Sequence, residues 1–403
     1  MAEISREVLA LKDELVELRR DFHAHPELGF KEVRSAQKIA DYLSALGLAV
    51  RDGIAETGVT ALLEGGKKGR TLLLRADMDA LPIEEETGLS FASQNKGVMH
   101  ACGHDAHMAS LLVAAKILCD KKEDLAGSVR FVFQPNEEVA GAARMIEEGA
   151  LLRTPSVDGA MALHVWSGIP SGKMGLSSGP VMAAMDEFRL VLNGRGGHTG
   201  APHKALDPIL GAANFVGALQ MIQTREIDIL SPTSIVVGAI HAGGQASNVI
   251  PEMAELAGTV RYLYAGGAHT AEHPLIRFER VLEGTCVAHG LTYALNWIPS
   301  NSCLVNDDKM ANLLENVGVG ILGADGVIPY RCMAGEDFSE FACKVPSVFA
   351  FVGTGNVLKG TNYPQHHSKF DIDEDALPLA VELFVRFTRR FLTDLGTLSD
   401  DRG

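Results

Sequence analysis

Apolar residues recur at helical spacing at the head of the chain. Ile4, Val8, Leu11, Leu15, Leu18 and Phe22 predict an amphipathic helix over 4–22. The segment His25-Pro26-Glu27-Leu28-Gly29 interrupts it, and a second helix is expected over 31–46, ended by Gly47 in the C-cap position. Short apolar runs of strand length follow at 59–63, 71–75, 129–133 and 160–165. Helical stretches at 106–119 and 141–151 lie between them. Alternating strands and helices predict an α/β fold with a mostly parallel sheet flanked by helices.

The texture changes at 177–185. A strand at 187–192, a helix at 207–224 opened by Pro208, strands at 233–242 and 255–262, a helix at 273–288 and a strand at 291–298 follow. The order β-α-β-β-α-β is that of a ferredoxin-like α+β domain. The first pattern then resumes with a helix at 310–318, a strand at 348–353 and a closing helix at 374–395. Two domains are therefore expected. Residues 1–185 and 300–403 form a discontinuous one, and 186–299 form a second inserted into it.

Composition narrows the function. The chain has 403 residues, 46% hydrophobic and 22% charged, enough for large cores. A net charge of -15 argues against nucleic acid or an anionic membrane as the partner. It leaves room for a small anionic substrate, which needs only one or two local cations. The 6 cysteines form no C-x-x-C pair and are too sparse for a disulfide scaffold, so a reducing cytoplasm is expected. No apolar leader stands in the first 21 residues and no run of 18 apolar residues exists, so neither a secretory signal nor a membrane span is expected.

Candidate chemistry sits beside the apolar runs. Asp77 and Asp79 follow one predicted strand, Gln134 to Glu138 follow another, and His164 ends a third. In open α/β sheets, ligands bind outside the carboxyl ends of the strands, so three strands would deliver polar groups to one edge. Adjacent carboxylates such as Glu137 and Glu138 repel, and burying both calls for a compensating cation. One of the pair would then bind the cation and the other handle protons. Without the strand stop before them, they would read as two exposed glutamates in a helical first turn. Cys102 and His104 flank Gly103 just before a helix, where a thiolate is favoured and binds metal well. His100 and His107 read as supporting or structural. One of His366 and His367 suits a ligand from a distant segment.

In the second domain, residues 194–200 are glycine-rich but lack the ending of a phosphate loop. Asn248 and Arg261 add an amide and a cation suited to a substrate carbonyl and carboxylate.

With these residues in view, the chain resembles the M20 metallopeptidase family, and within it the amidohydrolase branch. That branch holds hippurate hydrolase, N-acyl-amino-acid amidohydrolases and auxin-conjugate hydrolases. The resemblance rests on R-A-D-M-D-A-L-P, M-H-A-C-G-H-D-A-H, F-Q-P-x-E-E, L-H-V, H-T-x-x-P, S-N-V-I-P, G-E-D-F and H-H-x-x-F, in that order over nearly the whole chain. It implies a centre of two divalent metal ions held by Cys102, His104, Glu138, His164 and His367. It implies Glu137 as general base and acid, with Asp79 as the supporting carboxylate. Asp77 stands where other members of the family carry a histidine ligand, and Cys102 replaces a bridging aspartate. The inserted domain resembles the family's lid and dimerisation domain. There His198 would stabilise the oxyanion, Asn248 would hold substrate polar groups, and Arg261 the substrate carboxylate. Thiolate and imidazole donors suit zinc or manganese, with cobalt or nickel as alternatives.

The expected function is hydrolysis of N-acyl amino acids by a homodimer or higher homo-oligomer. A dipeptidase, aminopeptidase or carboxypeptidase of the same family is the first alternative. A binding protein predicts a broken ligand set, and a structural zinc protein leaves Glu137 beside Glu138 unexplained.

Overall fold

A computed structural model describes residues 2–151, 154–264 and 273–393. The chain forms two compact units. The first comprises Met1–Val181, Val305–Arg331 and Asp337–Gly403, and the second Met182–Leu304 with Cys332–Glu336. In chain order the first unit carries strands β1 (Ala49–Ile54), β2 (Gly58–Glu64), β3 (Lys67–Asp77), β4 (Ala126–Gln134), β5 (Gly159–Pro170) and β6 (Met174–Gly175). The second carries β7 (Ala184–Asn193), β8 (Thr233–Ala242), β9 (Met253–Tyr262) and β10 (Thr292–Asn301). β11 (Val327–Ile328) and β12 (Ser347–Gly355) return to the first.

The large sheet has the order β1-β2-β4-β3-β5-β12-β6-β11. Its centre, β4-β3-β5-β12, is parallel, and β1 and β2 extend it antiparallel. Parallel strands covered on both faces read as unbroken apolar runs. The last seven residues of β3 and the first eight of β12 are indeed all buried. The helix His104–Asp120 packs on this sheet and is buried on nearly every side. The helices Lys12–Ala24 and Leu377–Thr393 pack against it. The expected first helix divides into Arg6–Leu9 and Lys12–Ala24. The closing helix begins at Leu377 after a 3-10 turn, and residues 394 and 395 of its expected span lie outside the described residues.

The second unit holds an antiparallel sheet of order β8-β9-β7-β10, the ferredoxin-like arrangement that the sequence pattern predicts. Along β7, buried and more exposed residues alternate, as in a sheet covered on one face only. The helices Pro208–Met221 and Pro274–His289 pack against each other and against this sheet.

A buried ion network ties the first unit's segments together. Fully buried Arg19 meets Asp105 at 2.9 Å, Asp371 at 2.8 Å and Glu374 at 3.2 Å. His23 Nδ1 lies 2.7 Å from the same Asp105 carboxylate. Burial alone would raise the Asp105 pKa, but Arg19 and His23 override it and hold the carboxyl far below its usual range. The folded pKa is therefore depressed. Its stabilisation is present above the unfolded value of about 4 and is lost as pH falls towards the folded one. Arg19→Ala leaves these acids facing an empty cavity, and breaking a buried pair costs about 3–5 kcal/mol. Urea unfolding is expected to show that loss at neutral pH and a smaller one in acid. Equal losses at both would remove Asp105 protonation from the account.

Candidate metal centre

Strand register builds the site. Asp77, the last residue of β3, pairs with Gln134, the last residue of β4. Arg75 pairs with Ala162, which brings His164, two residues further along β5, level with Asp77. β5 runs on to Pro170, so His164 lies within the strand rather than at its end. Beyond the ends of β3 and β4 the side chains gather. Cys102, His104 and His164 offer donor atoms within 4.8 Å of one another, and so do His104, Glu137 and Glu138.

Each histidine is set by what its other nitrogen does. His164 Nδ1 donates to the Val165 carbonyl at 2.6 Å, which leaves Nε2 at 3.4 Å from Cys102 Sγ. His104 Nδ1 donates to the Asp79 carbonyl at 2.8 Å and lies 3.2 Å from Asp79 Oδ1. Its buried Nε2 has no hydrogen-bond partner and sits 3.9 Å from Glu137 Oε2. Second groups of this kind fix ring orientation and basicity in metal sites. His107 is different. Its Nδ1 donates to Asp77 Oδ1 at 2.6 Å and its Nε2 accepts from Val165 N at 2.9 Å, so both nitrogens are engaged. Arg75 donates to Asp77 Oδ2 at 2.6 Å.

Gly103 makes the Cys102–His104 turn possible. Its φ of 96° is left-handed, and a Cβ there would lie 2.3 Å from Val165 Cγ2. Glycine thus lets the thiol and the first residue of the helix converge.

Charge favours a cation here. Burial would lower the His104 pKa, but Asp77 and Asp79 override it and push it up to about 10. Burial raises the Cys102 thiol well above its usual value, and Glu138, Glu137 and Asp77 add to the rise. Burial and then His107 hold His164 well below its usual value, so its Nε2 keeps a lone pair, directed at the Cys102 thiol. The pocket therefore offers a thiol, two imidazole nitrogens and two carboxylates, with an orphaned nitrogen among acids. That donor set fits zinc-like ions.

Of the two adjacent histidines, His366 is the one brought to the cluster. Its Nε2 lies 3.2 Å from Glu138 Oε1, and it forms a donor group with Cys102 and Glu138. His367, the expected ligand, belongs to no such group among the described residues. Its ring stacks on Tyr363 at 4.7 Å and its Nδ1 accepts from Lys369 N at 3.0 Å. The loop geometry explains the choice. His366 takes a left-handed φ of 66° and its N–H donates to the Ala101 carbonyl at 2.8 Å, beside Cys102.

In the second unit, His198 is exposed and pairs through its backbone with Val249, next to Asn248. His198 Nδ1 accepts from Gly200 N at 2.8 Å, which leaves Nε2–H as the ring's remaining donor. Arg261 lies on β9, and its guanidinium donates to the Met333 carbonyl at 3.1 Å.

Known proteins share this framework. The model of peptidase family M20/M25/M40 matches residues 73–390. The chain is 37% identical over 386 residues to thermostable carboxypeptidase 1 of Saccharolobus solfataricus, covering 93% of this chain and 95% of that one. It is 40% identical over 309 residues to an N-acyl-L-amino acid amidohydrolase of Geobacillus stearothermophilus, covering 76% and 82%. A solved Bacillus subtilis protein, a dinuclear metal binding peptidase of the M20 family, superposes with a TM-score of 0.80 at 33% identity, over 95% of this chain and 99% of that one.

Proposed function

The chain belongs to peptidase family M20/M25/M40, and from that premise we propose that it is a metal-dependent amidohydrolase splitting N-acyl amino acids into a carboxylic acid and a free amino acid. The observation that carries the reading is the pair Glu137–Glu138 beside His104, with Cys102 and His164 next to it. A structural metal site needs ligands only, whereas this one keeps a second carboxylate at the same place.

In this proposal Cys102, His104, Glu138, His164 and His366 hold two divalent ions, zinc or manganese. His366 takes the place expected for His367. Bound ions of this kind polarise an amide carbonyl and acidify water. Glu137 accepts the proton of the attacking water and delivers it to the leaving nitrogen. Asp79 holds two of the proposed ligands in place. Its backbone carbonyl fixes the His104 ring, and its Oδ2 accepts from Glu138 N at 3.1 Å. His198 contributes its Nε2–H to the developing oxyanion, an interaction of about 3 kcal/mol. Asn248 and Arg261 take the substrate's polar groups, Arg261 its carboxylate. The first unit is then the catalytic domain, and the second the substrate-holding and dimerising one.

A carboxypeptidase activity is the second reading. It shares the free carboxylate next to the scissile bond and is favoured by the carboxypeptidase relative. Release of free amino acid from N-acetyl, N-benzoyl and longer N-acyl amino acids, with unblocked dipeptides and blocked peptides alongside, separates the two. Cleavage of the acyl amino acids in preference to peptides is expected. Preference for blocked peptides would make the chain a carboxypeptidase, and preference for free dipeptides would overturn both readings.

A further inference from the structure

The G-E-D-F segment has no part in the chemistry above, yet Asp337 within it is 2% exposed and accepts from four other residues. Its Oδ2 accepts from Gly141 N and Ala142 N, both at 2.8 Å. Its Oδ1 accepts from Gln134 Nε2 at 2.7 Å and from Arg75 Nη2 at 3.2 Å. Gln134 is the residue where β4 stops, and Gly141 and Ala142 are where the next helix starts. One carboxylate therefore clasps both ends of the loop that carries Glu137 and Glu138.

That loop needs a clasp. Asn136 and Ala140 both take left-handed backbone, with φ of 55° and 83°. The loop closes so tightly that a Cβ on Gly141 would lie 2.0 Å from the Pro135 carbonyl oxygen. Non-glycine residues in such conformations cost about 1–3 kcal/mol each and persist only where the surroundings over-determine them. Glu32 holds Asn136 N at 2.9 Å and Asp79 holds Glu138 N at 3.1 Å, and Asp337 joins the two ends. Arg75 and Gln134 fix Asp337 in turn. Arg75 donates to Gln134 Oε1 at 2.9 Å, and its guanidinium also reaches Asp77.

We infer that Asp337 is a positioning residue for the general base. It clamps the 135–141 loop through Gly141 and Ala142 at one end and Gln134 at the other, and so sets where the Glu137 carboxylate stands. The inference rests on the reading of Glu137 as the base. Asp337 acts through that loop, and its carboxylate lies within 4.8 Å of the Glu137 carboxylate. A misplacement of about 1 Å in a catalytic group costs about 10²-fold in rate, because the near-attack geometry is lost.

The test is Asp337→Asn, compared with the exchange pair Asp337→Asn/Gln134→Glu. In the single variant an amide NH2 must face the Gln134 NH2 or the two backbone N–H groups. In the pair, the oxygen of the new carboxamide at position 337 takes the backbone N–H groups. Its NH2 donates to the new carboxylate at position 134, and the network's charge is restored. For the single variant, kcat is expected to fall about 10²-fold, with KM within about threefold and metal content unchanged. Hydrogen exchange should quicken at Gly141 and Ala142 and not in the β-sheet. The pair should recover at least tenfold of the lost kcat. A single variant with kcat near the parent's, or a pair no better than the single, overturns the inference. Should Asp337→Asn not fold, the parent decides it. Amides of Gly141 and Ala142 exchanging as fast as those of exposed loops would show that no clasp exists. Failure of the functional reading looks different, since the parent would then lack amidohydrolase activity while the exchange pattern still reports the clasp.

Discussion

Glu137→Gln is expected to reduce kcat on an N-acyl amino acid at least about 10³-fold while the protein keeps its fold and its metal. Acid–base catalysis by a placed side chain contributes about 10²–10⁴-fold. Here one group serves both the attack and the departure of the amine, so the upper part of that range applies. The amide preserves the shape of the carboxylate and removes its capacity to take a proton. Metal content should be unchanged, because the proposal gives the ligand role to Glu138, which lies with the Cys102 and His366 donors, and not to Glu137. Stability should not fall, since the variant removes one of two neighbouring negative charges. KM should stay within a few-fold, as substrate contacts are assigned to the second unit. Rates measured at saturating substrate, with metal analysis of the same samples, decide it. A variant within tenfold of the parent would take the base away from Glu137. A variant that lost its metal would make Glu137 a ligand instead.

What the sequence makes legible follows from how each feature is encoded. The buried parallel strands are visible because a strand covered on both faces is mostly apolar, as at Leu72, Leu73 and Leu74 and at Phe131, Val132 and Phe133. The convergence of Asp77, Gln134 and His164 then follows from strand register alone. The ferredoxin-like order of the second unit is visible because its sheet shows alternation along β7. The choice between His366 and His367 has no such encoding. Neighbouring residues on a loop differ by backbone dihedral, not by periodicity, and the left-handed turn at His366 leaves no mark in composition. Asp337 is hidden for another reason. Its partners at the loop's far end are backbone N–H groups of Gly141 and Ala142, which every sequence possesses. His107 reads as one histidine among several, and only the structure shows both its nitrogens engaged by Asp77 and Val165. The break between Arg6–Leu9 and Lys12–Ala24 escapes because the apolar spacing continues across it.

Removal of the metal ions is expected to abolish turnover and to lower the melting temperature, with both restored on adding a divalent ion back. Any ion that binds only the folded state stabilises it by mass action, about 4 kcal/mol when free metal exceeds its Kd about 1,000-fold. The pH dependence of that difference is set by protons. Without metal, His104 carries a pKa raised to about 10, with burial opposed by Asp77 and Asp79. A raised histidine stabilises the fold fully below its unfolded pKa of about 6.5, and this contribution fades as pH climbs through the folded value. The metal-free protein should therefore lose stability between about pH 7 and 10. Metal binding must expel the His104 proton and the Cys102 proton, so metal affinity rises over the same interval. The gap in melting temperature between the loaded and metal-free protein should widen as pH rises from about 6 to about 9. His104→Ala should bind less metal at every pH. His366→Ala should lose metal and activity together, and His367→Ala should keep most of both, because only His366 reaches Glu138. The reverse order would return the fifth position to His367. A gap that narrows with rising pH would mean that His104 and Cys102 do not release protons to the ions.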